Sequence, residues 1–508
     1  MNLIFISIDS LNCHFLKAYG QTIEFKVATP TLDRFAQEGT LFENHYAGSL
    51  PCMPARREYF TGTQEFLWRP WGPIEPFDTT VALAARQAGV LTQLITDHYH
   101  YFQHGSHGYY EDYHGFEFIR GQEHDAWKTS SRHLDPILLK QMRAGKKDPF
   151  AFDNQVGYAR NVASFKSEED FFAPKVFSTA TTWLEENSTQ KPWLLVIDSF
   201  DVHEPFHCPE PYASMYTQEN PHDPDLVIWP LYGRVDQGES RLTERQIAFV
   251  RAQYAGKLTM VDRWLGKLFE KLDQLHLWDD TTVIVTSDHG HYLGEHNWMG
   301  KPFFAPLYNT LAHTPLLIHF PKSLQQGKRI EALTSAVDVY ATMLETLGVQ
   351  ASTSHSRSLL PLLKGETIRH RDWALYGYWG STVNVTDGEY TYLHPCRTDV
   401  PVQCYSTMMM NSYDWFMSPQ VQPNAEVGQF LPYTNAPVWR YPATSFTRHE
   451  EPLLFNIRDN PQQVENLVQK NIAQKKRMRE LLVEALRQME APQEQYQRLA
   501  LEGRKTIA

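Results

Sequence analysis

The residues of this 508-residue chain that can do chemistry fall in a few short stretches. Cys52-Met53-Pro54-Ala55-Arg56 is followed by Arg57 and by Gly62, which can close a short helix opened at the cysteine. A residue that opens a helix sits among unpaired N–H groups at the positive end of the dipole, a setting that favours an anionic substrate. Arg56 can add charge-assisted bonds to the same anion or to the oxygens of a nucleophile. Asp9 ends the apolar run NLIFISI, and Asp288-His289 ends TTVIVTS. Two carboxylates at strand ends, with an imidazole beside one of them, can converge on a divalent cation. Taken singly, an aspartate at a strand end is more often a helix N-cap, and a lone CxPxR is more often a buried cysteine ahead of a proline-started helix.

These groups need a frame. Apolar, β-branched runs recur as NLIFISID, VLTQLIT from Val90, WLLVIDSF from Trp193, TTVIVTSD from Thr281 and PLLIHF from Pro315. Such runs, separated by helical stretches, are expected of a sheet covered on both faces, whose chemistry gathers at the carboxyl ends of its strands. Three of them lead into a candidate group: Asp9, then Asp201 to His203, then Asp288 and His289. The spacing of Ile247, Val250, Tyr254, Leu258, Val261, Leu265, Leu268 and Leu272 predicts a long core helix. A second helix is expected over Ser335–Leu347, ended by Gly348, and a third over Asn471–Met489. Beyond Leu360 the alternating segment STVNVTDGEYTYL, with its Asp387-Gly388 pair, signals a hairpin. The reading is α/β: a large mixed, mostly parallel sheet sandwiched by helices, in a catalytic domain 1–365. A smaller C-terminal α+β subdomain with an antiparallel sheet and a terminal helix occupies 366–508.

Composition narrows the class. A hydrophobic fraction of 42% with 21% charged residues is that of a globular protein with a sizeable core. The net charge of -12 argues against nucleic acid as a partner. No apolar run of about 18 residues predicts a membrane span. MNLIFISIDS lacks a basic leader and a small-residue cleavage site, so a cytoplasmic location is expected. Five cysteines, at 13, 52, 208, 396 and 404, make a disulfide framework improbable, with Cys396–Cys404 the pairing left open.

The Cys52 motif is similar to the maturation signal of the formylglycine-dependent sulfatases, within the alkaline phosphatase superfamily. The stretch Asp288 to Lys301, DHGHYLGEHNWMGK, resembles that family's segment of metal ligands followed by a substrate-binding lysine. VDVYATMLETLGV from Val337, SLLPLLKGE from Ser358 and LFNIRDNPQQVENLV from Leu454 resemble its later segments. The resemblance implies that a formylglycine-generating enzyme oxidises Cys52, and that Asp9, Cys52, Asp288 and His289 hold one divalent metal ion. It implies further that Arg56 lies beside the nucleophile, with His203 and Lys301 on the leaving side, where a cation or proton donor offsets charge on the departing oxygen. A hydrated aldehyde would supply one hydroxyl to attack and a second to expel sulfate, an exit an unmodified thiol lacks. The implied activity is hydrolysis of a small anionic ester: a sulfate ester first, a phosphonate monoester or phosphodiester as the alternative. A non-catalytic binding protein on the same scaffold is the third reading.

Three features depart from the sulfatase pattern. Ser10 stands where many members have a second aspartate, and His289 where others have asparagine, as in the phosphonate monoester hydrolase and phosphodiesterase branch. Losing a carboxylate and gaining an imidazole shifts the expected ion from Ca²⁺ toward Mn²⁺, with Ca²⁺ retained. Asp97-His98-Tyr99-His100 replaces a segment that often carries a sulfate-binding lysine. His98 and His100 are therefore candidate substrate contacts, as imidazolium groups, with simple loop histidines the alternative. The aromatic stretch FLWRPWGP from Phe66 is read as core, or else as a pocket rim.

Overall fold

The structure is a computed structural model describing residues 1–103, 105–129, 133–142, 149–351, 355–411, 419–443 and 449–501, with backbone alone for 149–154. Its largest sheet has eight strands in the order Arg329–Ser335, Thr40–Tyr46, Leu316–His319, Thr281–Thr286, Asn2–Ile8, Trp193–Ser199, Leu91–Thr96 and Gly115–Phe118. Leu316–His319 is antiparallel to both its neighbours, and every other pairing is parallel. The expected mixed, mostly parallel sheet is therefore present. Because the strands from Thr281 to Phe118 share one direction, their carboxyl ends meet along one edge. That edge carries Asp9, Asp97-His98, the Asp198–His203 segment and Asp288-His289.

Side chains alternate across the sheet. Ile4, Ile6 and Ile8 join the core beneath helices Phe172–Asn187 and Glu244–Gln274. Leu3 and Phe5 join the opposite core, under helices Cys52–Thr61, Val81–Gln87 and Asp338–Thr346. The central strands read as continuous apolar runs because both faces are covered. The long helix buries the expected three-and-four stripe and begins with a capping box, Thr243 and Gln246 bonding each other's backbone N–H.

A five-stranded sheet follows, ordered Leu453–Asn456, Tyr390–His394, Val383–Thr386, Ala374–Tyr378 and Ser49–Leu50. The expected hairpin at Asp387-Gly388 joins two of its strands. Helix Ile472–Gln488 packs Met478, Leu482, Ala485 and Leu486 on this sheet, and a three-stranded sheet of Val402–Ser406, Val438–Ala443 and Glu426–Gly428 completes the C-terminal α+β part. Its edge strand Ser49–Leu50 comes from two residues ahead of Cys52 and pairs with Gly377 and Tyr378, tying this sheet to the candidate site.

Some expectations shift. The helix placed at Ser335 begins at Asp338, because Ser335 closes a strand and its N–H is held by the Asp338 carboxylate at 3.0 Å. All five cysteines are free and buried, so Cys396 and Cys404 form no bridge. Phe66, Leu67 and Trp68 lie in the core of the C-terminal part, and Trp71 joins the core beside the large sheet, against His100. No described helix is long and apolar enough to cross a membrane.

Candidate metal and nucleophile site

Cys52 is the first residue of a ten-residue helix that ends, as expected, at Gly62 in the left-handed conformation. The helix N-terminus faces the carboxyl edge of the large sheet. There one ligand atom each from Asp9, Cys52, Asp288 and His289 lies within 4.8 Å of the others, all four residues buried. Cys52 Sγ is 3.2 Å from His289 Nε2. His289 Nδ1 donates to the Gly290 carbonyl at 2.8 Å, which leaves the Nε2 lone pair facing the group. Burial holds the His289 ring below the usual imidazole range despite Asp288 and Asp9, as a neutral ligand requires.

Arg56, one helical turn after Cys52, is fully buried beneath this group. Its guanidinium donates to Asp198 at 2.7 and 2.8 Å, to Asp288 at 2.6 Å, to Asp9 at 3.0 Å and to the Cys52 carbonyl at 3.2 Å. Ser10 supplies further donors, its hydroxyl to Asp9 at 2.7 Å and its N–H to Asp288 at 3.1 Å. Burial raises the Asp9 carboxyl, but Arg56, His289 and Lys301 outweigh it and hold Asp9 below the usual carboxylate range. Three buried carboxylates crowd one guanidinium, with Lys301 the further cation acting on Asp9, so acidic groups outnumber the cations, and a buried charge needs a partner. One divalent cation would balance them, so the donor set fits such an ion in charge and in its mixture of oxygen and nitrogen donors.

Lys301 follows the short strand Trp298–Gly300, paired with Gly233–Arg234 and Tyr292–Leu293. Its ammonium donates to His203 Nε2 at 2.5 Å and to Tyr232 Oη at 2.7 Å. His203 Nδ1 donates to the Glu204 carbonyl at 2.8 Å, so Nε2 is the acceptor for the lysine. Gly300 permits this contact: it has φ +80°, and a Cβ there would stand 2.2 Å from the Tyr232 ring. The His203 loop is fixed from below by Lys257, which pairs with Asp201 at 2.6 Å and donates to the carbonyls of His203 and Pro205. Asp201 thus belongs to the scaffold.

The two candidate histidines part company. His98 Nε2 stands 3.4 Å from Asp9 Oδ2, with its ring edge-on to Phe200. Burial first, then Arg56 and His100, push its ring well below the usual imidazole range. His100 turns away, Nδ1 to Gln103 at 2.6 Å and Nε2 to Glu123 at 3.3 Å, against Trp71.

Sequence reasoning missed Asp198, Tyr101, Glu123, Glu204, Tyr232 and His291. Asp198 carried a signal, a lone charge inside the buried run WLLVIDS, and Tyr101 donates to it at 2.5 Å. Glu204 and His291 each stand within two residues of a residue that was singled out. Glu123, from a loop with no periodicity, gave none. A groove of about 850 Å³, lined among others by His14, Arg251, Glu295 and His296, lies elsewhere, and none of the four ligand groups lines it.

Comparison with known proteins identifies the family. The family model described as Sulfatase matches residues 1–349. The multifunctional alkaline phosphatase superfamily protein PehA of Trinickia caryophylli is 29% identical over 424 residues, covering 71% of this chain and 77% of that protein. Arylsulfatase K of Xenopus laevis is 26% identical over 403 residues, 71% of this chain and 68% of that protein. The phosphonate monoester hydrolase of Agrobacterium radiobacter shares the fold, with a TM-score of 0.66 at 20% identity over 96% of each chain.

Proposed function

The chain belongs to the sulfatase family, hydrolases of small anionic esters, and we propose that it cleaves a sulfate ester with a formylglycine made from Cys52 as nucleophile. The observation that carries this reading is Cys52 Sγ at a helix N-terminus, 3.2 Å from His289 Nε2 and inside the group formed with Asp9 and Asp288.

Each residue then has a task. Arg56 holds Asp9 and Asp288 in place through bonds to one oxygen of each, while Ser10 fixes the other oxygen. Asp9, Asp288 and His289 would hold a divalent ion together with the modified residue 52. The imidazole, and Ser10 in place of a second carboxylate, favour Mn²⁺ over Ca²⁺. When bound, the ion supplies Lewis-acid polarisation of the ester oxygens and of the attacking hydroxyl. The helix N-terminus and Lys301 add positive potential for the anionic ester. Lys301 keeps a proton at Nζ ready for the departing oxygen, and neutral His203 orients that ammonium by accepting from it. Formylglycine at position 52 requires a maturation enzyme as partner, and the catalytic domain 1–365 is proposed as the unit that carries these groups.

Mass analysis of the peptide over residues 45–65 from the native host, combined with rates on paired aryl sulfate and aryl phosphonate esters, tests the reading. Formylglycine with faster sulfate release supports it. An active protein carrying unmodified Cys52 would defeat it. Ser10 and His289 favour a second reading, a phosphonate monoester or phosphodiester hydrolase using the same groups; dominant phosphonate turnover would select that reading instead.

A further inference from the structure

Beside Lys301 lies a second cluster, of which only His203 has a role above. Glu123, His203 and Glu204 bring one donor atom each within 4.8 Å of one another, all buried. Glu204 Oε1 accepts from Tyr232, but Oε2 has no hydrogen bond, although His203 Nδ1 is 3.3 Å and His291 Nδ1 3.5 Å away. Glu123 Oε2 makes no hydrogen bond of good geometry, although His100 Nε2 stands 3.3 Å away, and His291, fully buried, bonds through neither ring nitrogen among the described residues. Buried polar atoms are almost always paired, so Glu204 Oε2 and the His291 Nδ1 that faces it at 3.5 Å, with a Glu123 carboxylate oxygen within 4.8 Å of Glu204, call for a ligand.

A second metal ion suits the place poorly, because the Lys301 ammonium already bonds His203 Nε2 at 2.5 Å and stands 3.9 Å from Glu204 Oε2. The unpaired atoms are predominantly acceptors, which a ligand must meet with N–H or O–H donors. The loop presenting Glu123 is well braced: Arg120 clasps Asp125 at 2.7 and 2.8 Å, and Gln122 bonds Asp97 and Asp201. Glu123 itself has φ 41°, a left-handed conformation costly for a residue with a side chain.

We propose that Glu123, Glu204 and His291 form a leaving-group subsite selecting esters whose alcohol carries a hydroxyl or amine donor next to the ester oxygen. The inference rests on the function proposed above, which puts the departing oxygen at Lys301. Glu123 and His291 would then set specificity by accepting from that donor, while Lys301 serves the ester oxygen common to all substrates.

The test compares kcat/KM of the matured, metal-loaded protein on n-propyl, 2-hydroxyethyl and 2-aminoethyl esters, as sulfates and as methylphosphonate monoesters, with a 4-nitrophenyl ester as reference. Wild type is expected to prefer the hydroxyethyl or aminoethyl ester over propyl by tenfold or more, and which of the two leads identifies the donor. Glu123→Gln should cut the preferred ester at least tenfold more than the propyl ester, whose residual turnover reports a folded site. His291→Phe should act in the same direction. Equal rates on the three esters, turnover of the 4-nitrophenyl ester alone, or equal losses on all esters in Glu123→Gln would overturn the subsite. So would two bound Mn²⁺ ions per chain falling to one in that variant. Turnover of no ester at all would instead defeat the proposed function, and the subsite with it.

Discussion

Arg56 touches three buried carboxylates, and a shorter or rounder cation cannot. Its planar fork reaches Asp198, Asp288 and Asp9 at once. Arg56→Lys is expected to cost about 3–5 kcal/mol in denaturant unfolding, because it leaves carboxylates buried without a partner. Glu58, in the same helix, tells a different story. Burial pushes its carboxyl up to about 8, although it accepts from the Ser49 N–H. A pKa raised in the folded state gives stability that is full below the unfolded value near 4.5 and lost as pH rises through about 8. Glu58→Gln should therefore leave stability unchanged near pH 4 and exceed wild type by on the order of 4 kcal/mol above pH 8. A difference in Tm that is flat with pH would refute this assignment. At this scale the sequence was informative where a charged residue ended an apolar strand, as at Asp9 and Asp288, and was left unread at Asp198, where one interrupts a strand. It was silent on Glu123, whose place depends on a loop braced by distant aspartates.

Elements were legible where periodicity is long. The helix over Glu244–Gln274 follows from its apolar stripe, whereas its start, capped by Thr243 and Gln246, came only from the structure. Thr243→Ala should lower stability by about 1 kcal/mol in thermal unfolding while leaving KM unaltered, since the cap is remote from the Cys52 group. Short strands were another matter: Trp298–Gly300 and Ser49–Leu50 are too brief for any alternation to show, yet they aim Lys301 and the Cys52 helix. Gly300→Ala would force a Cβ into the Tyr232 ring. The expected outcome is a loss of activity of tenfold or more, read as kcat/KM, with far smaller change in the affinity for Mn²⁺.

The whole molecule is held together across its halves. The fold class could be read from the strand runs because each is buried on both faces, whereas the partnership of residues 49–50 with 377–378 could not, being a contact between distant segments. A chain ending at residue 365 would lack Ala374–Tyr378, so it is expected to misfold or to lose metal affinity, as size-exclusion and calorimetric measurements would report. If the proposed ion is bound, chelation should act in the same direction on the full chain, because the crowded carboxylates around Arg56 lose a cation. An ion present at a hundred times its Kd contributes about 2.7 kcal/mol, and Tm should fall accordingly when EDTA is added.

The pairing of Ser49–Leu50 with Ala374–Tyr378 also sets a clock. Cys52 is 1% exposed in the finished fold and lies two residues beyond a strand that finds its partner only after about three hundred more residues have been made. At ordinary synthesis rates that interval is on the order of 20–60 s. If Cys52 is matured as proposed, the enzyme that oxidises it must reach it within that interval or act on a chain still unfolded, so speeding translation or folding should lower the fraction of protein that becomes active without altering a single contact in it.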